Sequence, residues 1–253
     1  MTRSLTLPLA VLSVILLLAV GRPLRAQGEV IGQLGWSVGV VEYRESDSAP
    51  WKKAPADLPL KRSYTLRTGK DSRAELQLLK STQRMAEKSQ VSLARLELNE
   101  SGKLQGVLDL MKGSIYTLWN DLGSKGVRIQ SPNAVMAIRG TVLRAETGGD
   151  KDLEVWVYEG QVDFNGDRNG EPPAMGEPRA TPAPAGPPGS VSGPTSVPGP
   201  RSVSMEEWTR IVAGMGVVVK DGKATLVPLD AAADRRSEWV RWNEERNRLQ
   251  PRD

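Results

Sequence analysis

Across residues 29–164 apolar side chains come in short alternating runs, broken by turn signals roughly every ten residues. A period of two puts every second side chain on one face of a pleated strand, so this stretch is committed to β-structure. Ala74, Leu76 and Leu78 alternate with Arg73, Glu75 and Gln77, the pattern of a strand with one face in the core and one in water. Residues 38–43 form a β-rich run closed by the polar turn 44–48. Val91, Leu93, Leu96 and Leu98 slip phase by one residue at Ala94-Arg95, which a β-bulge absorbs. Residues 104–111, 114–119, 127–130, 133–138, 141–146, 153–158 and 161–164 read as further short strands, with Lys112-Gly113, residues 123–126 and Gly160 among the breaks. The expected fold class is all-β, a single β-sandwich or β-roll.

Composition removes whole classes of chemistry, because the chain has no cysteine and no histidine. Disulfides, zinc, haem and copper sites built on those residues, and catalysis by Ser-His-Asp or Cys-His groups are all excluded. Stability must come from an apolar core. No cofactor is expected.

Residues 1–26 read as a signal peptide: Arg3 begins a short basic segment, residues 5–20 are apolar, and Leu24-Arg25-Ala26 offers a cleavage site, with 19–21 as the alternative. The expected location is therefore exported, periplasmic or extracellular. An uncleaved 5–20 segment would instead tether the chain to the membrane, although it is short for a span and carries Pro8. No cysteine follows either site, which excludes a lipoprotein anchor. The sequence pI of 9.4 misleads. Arg3, Arg22 and Arg25 would leave with the signal peptide, and the 34 basic residues would fall to 31 against 30 acidic. That near-neutral balance argues against nucleic acid as a partner.

Thr68-Gly69 followed by residues 71–76 (Asp-Ser-Arg-Ala-Glu-Leu), then Arg139-Gly140-Thr141 and the Glu159-Gly160 pair, together resemble the FecR domain. Ser131-Pro132-Asn133 is similar to the segment that precedes the Arg-Gly-Thr of that family. FecR-type proteins are bacterial signal-transducing regulators, and the resemblance implies an all-β envelope module over residues 29–164. Thr68, Gly69, Arg139, Gly140, Thr141 and Gly160 would then be structural, with Gly140 permitting a bend that sends Arg139 and Thr141 to opposite sides. Family regulators carry a cytoplasmic anti-sigma segment before one membrane span. With about four residues ahead of the apolar stretch, a stand-alone exported domain is expected here, without that activity.

Residues 165–201 hold ten of the 18 prolines, with Gly, Ala, Ser and Thr between them, and read as a disordered or polyproline-II linker. Residues 202–229 follow as a short helical turn at 205–211 and a hairpin, 216–220 with 223–227, turning at Asp221-Gly222. By the resemblance this hairpin completes the β-domain, and an isolated one would be marginal in water. Residues 230–253 end the chain as an amphipathic helix whose stripe Trp239, Trp242, Arg246 and Leu249 either latches onto the β-domain or binds a partner.

Other features carry less. Residues 165–170 match only the first half of a calcium loop, with Gly176 where a bidentate Glu belongs. The pairs Glu206-Glu207 and Glu244-Glu245 are neighbours in sequence and do not face each other across a substrate. The reading that follows is a non-enzymatic exported module that recognises an envelope protein or a cell-wall polymer. The rivals are a tethered signal transducer and a carboxylate-dependent cell-wall polysaccharide hydrolase.

Overall fold

The computed structural model describes residues 29–79, 81–119, 127–148, 152–167 and 199–249. Sixteen strands join into one hydrogen-bonded sheet. The first eight are β1 (Val30–Val38), β2 (Val41–Arg44), β3 (Lys52–Lys53), β4 (Pro59–Lys61), β5 (Thr65–Thr68), β6 (Arg73–Leu78), β7 (Ser81–Met85) and β8 (Gln90–Leu98). Four longer or central ones follow: β9 (Leu104–Trp119), β10 (Val127–Ser131), β11 (Ala134–Thr147) and β12 (Leu153–Asn165). The rest are β13 (Arg201–Val203), β14 (Thr209–Val212), β15 (Met215–Lys220) and β16 (Lys223–Pro228), then helices α1 (Ala231–Asp234) and α2 (Glu238–Leu249).

Strand β9 is the hinge of the architecture. Its first half pairs with β8 and, in parallel, with β10; its second half pairs with β7 and β11. One sheet is thereby coiled around one apolar core, to which β1, β6, β8, β11, β12, β15 and β16 all contribute. Ala74, Leu76 and Leu78 of β6 lie in that core, as the alternation requires, and the fold is all-β.

The structure corrects several boundaries. Residues 104–119, expected as two strands, form the single strand β9, bent at Gly113 with φ +84°. Likewise 133–146 and 153–164 are the continuous strands β11 and β12, whose pairing shifts register between Arg139 and Val142, opposite Gly160. A glycine that looks like a turn in sequence acts here as a bulge, because a positive φ bends a strand without ending its ladder. The slip at Ala94-Arg95 is a register shift between Ser92 and Arg95.

Residues 205–211 form no helical turn: bends lead directly into β14, which pairs with β12. The edge of β12 offers unpaired backbone groups that outweigh the weak helical preference of so short a segment. The Asp221-Gly222 hairpin forms as β15 and β16, and β15 continues the sheet on β12. The C-terminal helix is broken at 235–237 into α1, capped by the Asp230 carboxylate on the N–H groups of Ala232 and Ala233, and α2. The expected signal peptide, the expected break at 123–126 and most of the Pro-rich stretch lie outside the described residues, as do residues 250–253, which the expected C-terminal helix included.

Gly160 and Gly140 approach each other backbone to backbone. Gly160 has φ +75°, and a Cβ there would sit 2.2 Å from the Gly140 carbonyl oxygen. Gly160→Ala is therefore expected to cost on the order of 2–4 kcal/mol in urea unfolding, while Gly148→Ala, with open space at its Cβ, changes stability by less than about 0.5 kcal/mol.

Candidate functional site

The outward face of the sheet carries a cross-strand row built by register. Trp36 on β1 faces Glu75 on β6, Glu75 faces Arg84 on β7, Arg84 faces Tyr116 on β9, and Tyr116 faces Arg144 on β11. The same period of two that sends Leu76 and Met85 inward sends these five outward. They are not in water, because α1 and α2 cover them.

At the centre, the Glu75 carboxylate accepts from Arg84 Nε at 2.9 Å and from Arg246 Nε of α2 at 2.7 Å. Glu75 and Arg84 side chains are each 1% exposed. Arg84 Nη1 also donates to Asn247 Oδ1 at 2.6 Å and, at 3.3 Å, to the carbonyl and Oδ1 of Asn243. Asn247 in turn donates to the Tyr116 hydroxyl at 3.2 Å. Burial by itself would raise the Glu75 carboxyl, but the hydrogen bonds from Arg246 and Arg84 outweigh it and hold the group below the usual carboxylate range. Burial lowers the Arg84 guanidinium, with Glu75 opposing; an arginine nevertheless stays charged at any working pH.

Aromatic rings frame this ion cluster. Trp242 stacks on Trp239 at a centroid distance of 5.2 Å and meets Trp36 at 5.5 Å with the rings tilted by 34°, and the Arg246 guanidinium lies 4.5 Å from the Trp36 ring centroid. Trp239 packs on the small cluster of Tyr116, Leu118 and Val142. A second anchor sits at α1, where Asp234 accepts from Arg144 and from the Tyr158 hydroxyl, both at 2.8 Å. Burial pushes the Tyr158 hydroxyl well above its ordinary value, with Arg144 pulling the other way. Within α2 the fully buried residues are Val240 and Asn243. The attachment of α2 is therefore mixed: Val240 and the partly buried rings of Trp239 and Trp242 supply apolar contact beside the ion cluster and its hydrogen bonds.

The sequence stripe is thus divided. Trp239, Trp242 and Arg246 are turned onto the sheet, and Leu249 stands 74% exposed. The expectation that Glu75 faces water is overturned: the helix covers that side of β6, which local alternation has no means of revealing. Arg84 escaped the sequence reading altogether. The available signal was its position directly across the β6–β7 hairpin from Glu75, an opposite charge on a shared face.

The motif residues lie within the sheet, apart from this row. Thr68 Oγ1 donates to the Ala86 carbonyl at 2.6 Å and accepts from the Ser89 N–H, and the Gly69 N–H binds the Val40 carbonyl. Thr141 is fully buried, its Oγ1 2.9 Å from the carbonyls of Arg139 and Gln161, while Arg139 is exposed. These contacts hold the bends at the strand joints. Among the described residues no three acidic side chains are grouped to hold a metal ion.

Fold and site together define a sheet-built domain capped by its own C-terminal helix. Residues 64–163 match the family model described as FecR protein. Two crystal structures of an anti-sigma factor candidate from Parabacteroides distasonis are similar at a TM-score of 0.44 and 10% identity, over 66% of this chain and 60% of theirs. This chain thus spans less than two thirds of those chains. No curated protein sequence matches.

Glu75→Gln leaves Arg84 and Arg246 without their counter-charge in a dry interface, a loss of about 3–5 kcal/mol if the helix stays docked. The helix escapes that cost by releasing, so the expected outcome is red-shifted tryptophan emission at neutral pH with the strand signal in circular dichroism retained. For the unmodified protein the native Glu75 value is depressed. Its contribution is complete above the unfolded value of about 4.3 and is lost as pH falls through the lower native value. An acid titration of the same emission should therefore show release below about pH 4.

Proposed function

We propose that the chain is an exported, non-enzymatic recognition module of bacterial envelope signalling, in which the C-terminal helix and the sheet face beneath it form the contact for another envelope protein. The observation that carries this reading is the way α2 is attached: an ion cluster and hydrogen bonds to Glu75, Arg84 and Tyr116, beside aromatic packing by Trp239 and Trp242 and one buried aliphatic residue, Val240. A mixture of aromatic side chains, arginine and hydrogen bonds of this kind is characteristic of contacts between separable partners. A detached helix of 12 residues is unstable alone in water, so release turns it into an adaptable segment that folds again on a partner. The FecR match over residues 64–163 supports the envelope setting, and the apolar residues 5–20 support export.

Turnover is disfavoured by the state of the most deeply buried carboxylate among the described residues. Glu75 is neutralised by two guanidiniums and depressed in pKa, the opposite of what a general acid for glycoside cleavage requires.

The test is photo-crosslinking in intact cells from a photoreactive side chain placed at Leu249, with Lys223 on the β15–β16 turn as the control position. The expected result is one discrete envelope protein captured from 249 and not from 223, with a higher yield when Glu75→Gln frees the helix. Identical products from both positions, or a yield indifferent to Glu75→Gln, would contradict the reading.

A further inference from the structure

The C-terminal segment is broken where its own sequence favours continuity. Residues 231–249 contain neither glycine nor proline, and alanine, arginine and glutamate, all good helix formers, make up more than half of them. One helix is what that pattern predicts. Instead 235–237 form a tight turn in which Arg236 and Ser237 donate their N–H groups three residues back, to the carbonyls of Ala233 and Asp234. The Arg241 guanidinium binds the carbonyls of Arg235 and Arg236 at 2.9 and 2.8 Å.

The cause lies in two anchors. Asp234 is held by Arg144 of β11 and Tyr158 of β12, whereas Arg246 is held by Glu75 of β6, with β7 and β9 between β6 and β11. On an unbroken helix the side chains of residues 234 and 246 point about 120° apart, so one straight helix cannot turn both onto the same sheet. The break reconciles them against the local preference of the chain.

We propose that, once α2 has detached as in the reading above, a second copy of this chain removes the conflict by exchange of the helix. The α2 of each chain docks in the row of the other, and residues 231–249 close into one helix. Both anchors are then kept, on different molecules, and nothing forces a break. The row receives a second copy through the chemistry it already uses: Glu75 for Arg246, Arg84 and Tyr116 for Asn247, Trp36 for Trp242. Short hinges under strain invite such exchange, and its reciprocity closes the assembly as a two-fold dimer with no row left uncovered.

Size-exclusion chromatography with light scattering tests this on the exported chain, acidified below about pH 4 at rising protein concentration and returned to neutrality. A species of twice the monomer mass is expected, in a fraction that grows with concentration. Glu238→Pro should keep the native tryptophan emission of the monomer and lose the dimer, because proline suits the first position of α2 and cannot continue a helix from α1. The Glu238 side chain is 75% exposed in its ion pair with Arg73, so little else is lost.

Mixing two variants separates exchange from any other dimer contact. Glu75→Gln has a defective row and Arg246→Gln a defective helix, so each alone stays open with red-shifted emission. Together they pair the intact row of one with the intact helix of the other, and a mixed dimer with emission partly restored is expected. An unmodified chain that stays monomeric at every concentration, a Glu238→Pro chain that dimerises like it, or a mixture without recovery overturns the proposal. If Glu75→Gln leaves the emission unshifted, α2 does not detach and the proposed function falls too; a shift without recovery on mixing removes the exchange alone. Glu238→Pro decides the matter even where the other two variants fail to fold.

Discussion

The contact on which the outer half of the structure depends is the carboxylate of Glu75 held between Arg84 and Arg246. Two charges taken out of water lose nearly as much hydration as they gain in attraction, so a buried pair of this kind adds little net stability. What it does enforce is geometry. An arginine on a strand facing a glutamate on its neighbour can be covered only by an element that brings matching donors and acceptors, and α2 does so with Arg246, Asn243 and Asn247. A purely apolar helix would strand both charges.

The consequence is an asymmetric molecule. Inward, aliphatic side chains from most of the sheet form one core, the source of its stability. Outward, the row from Trp36 to Arg144 is sealed by aromatic packing together with polar contacts that water can replace when the helix leaves. Removing one charge in place is costly, whereas lifting the helix away rehydrates every charge at once and leaves the exposure of Trp239, Trp242 and Val240 as the main opposing cost. In the proposed reading the same cluster is both specific and reversible, the combination a recognition surface requires.

How far the sequence foretold this follows from the range of the interactions. Strand alternation is local, so the core positions Ala74, Leu76 and Leu78 and the bulge beside Ala94 were legible. So was the hairpin at Asp221-Gly222, because an Asp-Gly pair carries its own turn geometry. Glycines 113 and 160 were misread as strand ends, since a positive φ reads alike in a turn and in a bulge until the neighbouring strands are known. Residues 209–212 became strand, and 205–207 bends, through the edge of β12, a partner 45 to 51 residues away. The burial of Glu75 depends on Arg246, 171 positions distant, and no local pattern encodes that separation. The aromatic stripe of α2 was visible; the surface that receives it was not.

The central claim is that α2 opens as a unit while the sheet stays folded, and native-state hydrogen exchange at neutral pH measures this directly. Amides of α2 should exchange through an opening of distinctly lower free energy than those of β9 and β11, and moderate salt should lower it further by screening the partly exposed Arg246. Equal protection of helix and strands, with no response to salt, would show that the helix is an inseparable part of the core and would contradict the account.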